Sequence, residues 1–311
     1  MASVASNAVA AELRTLATTP INGLEGLDVA QDGSLYITDA IAHVIHKVDT
    51  TGRVSDFSNV GAAVQVILLT SSGAIVTAQE RDPDFSAMTR PLPPRSDAAP
   101  GAPSAAPAAR GFTAEAMGKL GPELILLDKS GKVVRTIRGP DGAFFNGIAR
   151  IGKNFLIADS ASGTIWLYAG NADQVVAWFK NDALLGPNGR FPGANGIKVL
   201  KDTVYVSNTA AGMLFKLKTA KGKPVGELEE FAHVASPDDF DVTKDGYVYL
   251  PSEGKVLRIS PSGEPTVLAA NCKGCDSALL TDHERSLLLL THGFGPDAGP
   301  GHVYSMPLPR P

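Results

Sequence analysis

Only two cysteines occur in the 311 residues, as Cys272-Lys-Gly-Cys275. One Cys-x-x-Cys pair cannot complete a four-ligand zinc site, and no thioredoxin-like strand and helix pattern surrounds it. The pair reads as two small residues in a turn, with a disulfide or redox role as the alternative. No apolar run approaches the roughly 20 residues that span a bilayer, so no membrane partner is expected. Lys and Arg neither cluster nor alternate with aromatic residues, and the net charge is −4, which argues against nucleic acid as a partner. Met1 to Ala11 lack the basic start and sustained apolar stretch of a secretory signal. The expected location is the cytoplasm, or outside it with an export signal absent from this sequence.

What is present is a repeat. Glu25-Gly-Leu…Asp39, Gln65-Val-Ile…Gln79, Asn146-Gly-Ile…Asp159, Asn195-Gly-Ile…Asn208, Asp238-Asp-Phe…Pro251 and Asp276-Ser-Ala…Thr291 each set an oxygen-bearing side chain before two short β-branched or Leu-rich runs. The span from first polar residue to the end of the second run is 13 to 15 residues in all six, and turn residues between the runs mark a hairpin. First positions are 40, 81, 49, 43 and 38 residues apart, and excising 82–122 reduces the long step to 40. A four-stranded propeller blade needs roughly 40 to 50 residues. The expected fold is therefore all-β: a six-bladed β-propeller of four antiparallel strands per blade, one domain over residues 1–311 with an insertion at about 82–122. The sixth unit has only three strand-like runs, so Glu12 to Thr18 is expected to supply its missing outer strand and close the ring.

The insertion contains Pro91-Leu-Pro-Pro94 and a Pro/Ala run from Ala98 to Ala109, a composition that builds no packed core and reads as a mobile loop. It leaves the second unit after Gln79, on the face that carries the first-position residues, where a loop can serve as a lid.

Innermost propeller strands surround a central channel, so Glu25, Asn146, Asn195 and Asp238 are expected to point inward at one level. Four oxygen ligands with two negative charges suit a hard divalent cation, Ca²⁺ above all, and such an ion relieves the repulsion between converging carboxylates. Gln65 and Asp276 share the register as further candidates. Asn-Gly is also the commonest turn pair, which is the plain alternative.

These motifs, with Pro237-Asp-Asp-Phe240, resemble the regucalcin/gluconolactonase family of six-bladed propellers, which includes diisopropyl-fluorophosphatase-like enzymes. The resemblance runs from about Gly23 to Met306 and implies a catalytic divalent metal on Glu25, Asn146, Asn195 and Asp238. Two departures stand out: Asp239 replaces the family's common glycine after the fifth-blade ligand, and the Arg-containing segment of the sugar lactonases is not found in the second unit. The run from Asn195 through Ser207-Asn208-Thr209 to Phe240 looks more like a branch with fungal biosynthetic members, some of them cyclases.

The function this implies is metal-dependent hydrolysis of a lactone or other ester, by a monomer acting on a small-molecule substrate. The ion polarises the carbonyl while Asp238 or Asp239 activates water, and His292 or His43, on the same face, moves a proton. The alternatives are a non-hydrolytic cyclase, in which Phe144, Phe145, Phe191 and Phe294 shape the mouth, and a binding propeller.

Overall fold

The computed structural model describes residues 12–20, 23–80, 113–281, 285–291 and 299–308. Six four-stranded antiparallel sheets form the six-bladed β-propeller expected from the repeat. The first blade comprises Leu24–Val29, Leu35–Asp39, Val44–Val48 and Val54–Asn59, the second Ala63–Thr70, Gly73–Gln79, Pro122–Asp128 and Val133–Arg138. The third holds Phe145–Ile151, Asn154–Asp159, Thr164–Ala169 and Val176–Lys180, the fourth Ala194–Leu200, Thr203–Asn208, Met213–Ala220 and Lys223–His233. The fifth has Asp241–Val242, Val248–Ser252, Lys255–Ile259 and Pro265–Ala269. In the sixth, Cys275–Thr281, Ser286–Thr291 and Gly301–Pro307 are joined by Arg14–Thr19, which pairs with the last of them from Arg14↔Ser305 to Thr19↔Gly301. The N-terminal strand thus closes the ring as expected and ties both chain ends into one sheet. Among the described residues no helix is long and apolar enough to cross a membrane.

Second strands such as Thr203–Asn208 and Ser286–Thr291 are buried almost throughout, because each sheet is covered on both faces by its neighbours. Outermost strands such as Val176–Lys180 stay largely exposed. The core is accordingly divided into clusters between blades. Leu288, Leu290 and Val303 of the sixth blade meet Leu24 and Ile37 of the first, and Leu156 and Ile165 of the third meet Ile197 and Val204 of the fourth. Each such side chain contributes about 1.5–3 kcal/mol by leaving water. Turn chemistry fixes the hairpins. Asp128 Oδ1 accepts from Ser130 N–H and O–H and from Lys132 N–H at 2.6–3.1 Å. Gly131 closes that turn at φ +87°.

Two expectations change. Cys272 and Cys275 form a disulfide, with Cα atoms 5.4 Å apart, so the bonded alternative holds. Residues 81–112 of the insertion lie outside the described residues, but its end is not a coreless loop. Ala114–Met117 is a turn of α-helix and Gly118–Leu120 a 3-10 turn, and Met117 and Leu120 bury against Phe144 and Ala161 of the third blade. These apolar residues stand outside the Pro/Ala run and find their core on a neighbouring blade.

His46, in the third strand of the first blade, lies between two carboxylates, its Nε2 3.5 Å from Asp39 Oδ2 and its Nδ1 3.0 Å from Asp56 Oδ1. Asp39 has the largest influence and raises the imidazole pKa; burial opposes it and Asp56 adds to it. A folded-state pKa above the unfolded one gives stabilisation that is complete below about 6.5 and lost as pH rises through the raised value. The melting temperature is therefore expected to fall between about pH 6 and about pH 8, and the fall to shrink in His46→Gln. Scanning calorimetry across that range checks this, and equal slopes in the two proteins would remove His46 as the cause.

Candidate functional site

The first-position residues sit at a repeated irregularity in the innermost strands. Pairing with the second strand shifts between Leu24 and Leu27, Val64 and Ile67, Phe145 and Ile148, Ala194 and Ile197, and Cys275 and Ser277. A β-bulge re-aims side chains and leaves backbone groups outside the ladder. Glu25, Gln65, Asn146, Asn195 and Asp276 all fall in these bulges. The freed N–H groups are taken up by hydroxyls of the second strand: Gly26 N–H donates to Thr38 Oγ1 at 2.8 Å, Val66 N–H to Thr77 Oγ1 at 3.0 Å and Gly196 N–H to Ser207 Oγ at 2.8 Å. Each hydroxyl then donates to a first-position carbonyl of the next blade. Thr38 bonds Gln65 O, Thr77 bonds Asn146 O at 2.5 Å and Ser207 bonds Asp238 O at 2.6 Å.

The glycines after Glu25, Asn146 and Asn195 serve this contact. They lie within strands, so the turn alternative for Asn-Gly does not hold. A Cβ on Gly147 would stand 2.5 Å from Asn195 O, and one on Gly196 2.7 Å from Asp238 O. The innermost strands of successive blades meet where a side chain has no room.

The same hydroxyl chemistry orients the two amides. Ser160 Oγ donates to Ala194 O at 2.7 Å and Thr209 Oγ1 to Pro237 O at 2.7 Å. Their own protons are thereby spent, so they accept from the Asn146 and Asn195 Nδ2 groups, at 3.3 and 2.9 Å. Each amide oxygen is consequently turned away from its hydroxyl. Both side chains are buried.

The carboxylates of the ring crowd one another. Burial pushes the Asp238 carboxyl well above the usual range, and the charges of Asp276 and Glu25 and a hydrogen bond with Asp276 push it further. Asp276 therefore belongs with Glu25 and Asp238. Among the described residues no three His, Cys, Asp or Glu side chains stand at metal-ligating spacing. A divalent cation here would draw on both carboxylates and amides, and hard oxygen donors short of positive charge fit Ca²⁺.

Three residues beyond the first position in the first, fourth and fifth blades lies a second tier of charge, with Asp28, Lys198 and Asp241. Lys198 Nζ stands 2.9 Å from Asp239 Oδ1 and 3.0 Å from Oδ2. Burial pulls its pKa down, yet Asp239, Asp241 and Asp28 carry it above its ordinary value. Burial lifts Asp241 to about 6 against the opposing Lys198 and the N–H groups of Leu280 and Val242. Asp239 also accepts from Phe240 N–H at 2.9 Å and from Ser277 Oγ at 3.4 Å, so its oxygens are engaged in the channel wall.

His292 and Phe294 lie outside the described residues. His43 stands in the connection after the second strand of the first blade with φ +60° and a buried Nδ1. Phe145 is fully buried in the core between the second and third blades, and Phe144 packs edge-on against Phe191, ring centroids 4.9 Å apart, so these three are packing residues. Lys198 carried no expectation, although its place three residues after Asn195 matches Asp28 after Glu25 and Asp241 after Asp238.

No protein-family model and no curated protein sequence matches the chain. Solved structures do. A gluconolactonase from Xanthomonas campestris shares 14% identity at TM-score 0.68, over 99% of this chain and 93% of that one. The calcium-binding protein regucalcin from Agrobacterium tumefaciens shares 14% at 0.66, over 95% and 93%. A virginiamycin B lyase from Staphylococcus aureus, solved with quinupristin, shares 15% at 0.58, over 96% and 99%. At such identities the likeness establishes the fold: this chain's structural neighbours are gluconolactonase- and regucalcin-like six-bladed propellers.

The close approach at Gly147 yields a test. Gly147→Ala is expected to cost about 1–3 kcal/mol, because the added methyl drives the third and fourth blades apart at the ring. Urea denaturation measures it, and a cost under about 0.5 kcal/mol would show that the contact relaxes freely.

Proposed function

We propose that the channel mouth is a metal-dependent hydrolase site for a lactone or another ester, with Glu25, Asn146, Asn195 and Asp238 holding a divalent cation, Ca²⁺ by preference. The observation that carries this is the Asp238 carboxyl, pressed by Asp276 and Glu25 in a ring whose two amides are locked with their N–H₂ groups turned to hydroxyls. A gluconolactonase and a calcium-binding regucalcin among the structural neighbours support it.

When bound, the ion supplies a Lewis acid for the ester carbonyl and for the oxyanion formed from it. The chain's own residues do the rest. Asp238 and Asp276, hydrogen-bonded to each other, are the acceptors for the proton of an attacking water. Asp239 is tied to Lys198, so the activation of water falls to Asp238 rather than to it. His292, which follows the second strand of the sixth blade in sequence, is assigned the return of that proton to the leaving oxygen. The helical turns of residues 114–120, packed on Phe144 two residues before Asn146, form one wall of the mouth. A second reading, bond cleavage or cyclisation without water, has its support in the lyase neighbour. With Phe144 and Phe145 packed inward, it lacks the aromatic mouth that a cyclase of a flexible substrate would use.

Calorimetric titration with Ca²⁺ should show binding to the wild-type chain, weakened at least about tenfold in Glu25→Gln and in Asp238→Asn, since each removes a unit of negative charge from a hard-cation site. Unchanged binding in both variants would mean that the ring does not hold the ion. A screen of lactones and esters with and without EDTA then tests the reaction. Products whose masses sum to the substrate plus one water mark hydrolysis, whereas products that sum to the substrate alone mark the second reading.

A further inference from the structure

The segment carrying Asp238 lacks the anchor that its counterparts have. In the other five blades a residue one or two places before the first position pairs with the end of the second strand: Leu24↔Asp39, Ala63↔Gln79, Phe145↔Asp159, Ala194↔Asn208 and Cys275↔Thr291. In the fifth blade the innermost strand pairs only through Asp241↔Tyr249 and Val242↔Val248, and Asp238 lies outside it. The sequence gives the reason. By the register of the other blades the missing pair would join Pro237 to Ser252, and Pro237 has no N–H to offer.

The fourth blade supplies the substitute. Thr209 Oγ1 donates to Pro237 O at 2.7 Å, Ser207 Oγ to Asp238 O at 2.6 Å, and Lys198 Nζ reaches Asp239 Oδ1 at 2.9 Å. Three consecutive residues are thus each held by one side chain of the blade before. Lys198 is the part of this hold that the other blades lack. The position after the first residue is glycine in the first, third and fourth blades, with no side chain to grasp, whereas the fifth has Asp239 there. The lysine and this aspartate are complementary exceptions on adjacent blades.

We infer that Lys198 is a positioning residue: with Ser207 and Thr209 it clamps residues 237–239 and so sets the Asp238 carboxyl within the ring. The clamp follows from the geometry alone, whereas its consequence for ion binding rests on the reading of the ring as a cation site.

Two measurements on the full chain separate these. Hydrogen–deuterium exchange of the peptide covering 237–242 should speed up about tenfold in Lys198→Gln and severalfold in Thr209→Val, stay near wild type in Lys198→Arg, and leave the innermost strand of the third blade unchanged. Unaltered exchange at 237–242 in both loosening variants, or a uniform rise in every blade, would overturn the clamp. Thr209→Val, a nearly isosteric change, decides the matter should Lys198→Gln fail to fold. In Ca²⁺ titrations Lys198→Gln should bind about tenfold more weakly and Lys198→Arg almost as well as wild type. Wild-type affinity in Lys198→Gln would overturn the link to the ring, whereas no binding by the wild-type chain would defeat the metal reading and leave exchange to judge the clamp.

Discussion

The ring depends on a short hydrogen-bond relay between neighbouring blades. A bulge in an innermost strand frees an N–H, a hydroxyl of the second strand accepts it, and that hydroxyl donates to a carbonyl of the next blade. An unpaired buried amide costs about 1–3 kcal/mol, so in the first, second and fourth blades the hydroxyl offsets what the bulge would otherwise cost. The relay therefore does two things at once. It satisfies the backbone that the bulge disturbs, and it transmits the placement of one first-position residue to the next, from Gln65 to Asn146 through Thr77 and from Asn195 to Asp238 through Ser207.

Charge in the channel is organised in two tiers with different solutions to one problem. In the lower tier a lysine is built into the chain and stands against Asp239, Asp241 and Asp28. In the upper tier the strongest charges acting on Asp238 are those of Asp276 and Glu25, both negative, and its carboxyl is driven toward its protonated form. Isolated buried charge is expensive, so such a site takes up either a proton or an external cation. In the fourth blade an amide, Asn195, stands in the upper tier where the lower tier has Lys198, so the built-in cation serves the lower tier.

The architecture was legible because it is written six times. A 13 to 15 residue span repeated at near-constant steps exposes the blades even where each hairpin signal alone is weak, and the missing outer strand of the last unit points to Glu12 to Thr18, where the strand Arg14–Thr19 takes that place. The ring residues were legible for the same reason. What the repeat could not show are contacts that depend on which blade follows which. Lys198 reads as an ordinary exposed lysine until Asp239 of the adjoining blade is set beside it, and Asp276, a candidate by register, is tied to Asp238 only by the hydrogen bond between them. The disulfide was undecided because Cys-x-x-Cys spacing suits both a bond and a plain turn. The nearness of Phe144 and Phe145 to Asn146 is visible in the sequence and admits a mouth role under the cyclase alternative, whereas the burial of their side chains is visible only in the fold.

A likeness of 14 to 15% identity across whole chains preserves the scaffold while leaving the chemistry open, as a set of neighbours that includes both a gluconolactonase and a lyase makes plain. The reason lies in how a propeller divides its labour. Its inner strands and their relay set where first-position oxygens stand, a task nearly independent of substrate, whereas the loops at the channel mouth decide what reaches them. In this chain the distinctive wall is the turn of residues 113–121, which buries Met117 and Leu120 against Phe144 and bonds Gly121 O to Glu80 N–H at 2.8 Å. That turn stands where the second blade is interrupted, and Phe144, on which it packs, immediately precedes the strand that bears Asn146. On the hydrolase reading proposed above, selectivity among substrates would reside in the turn of residues 113–121 and its packing on the third blade, and ion affinity in the inner strands.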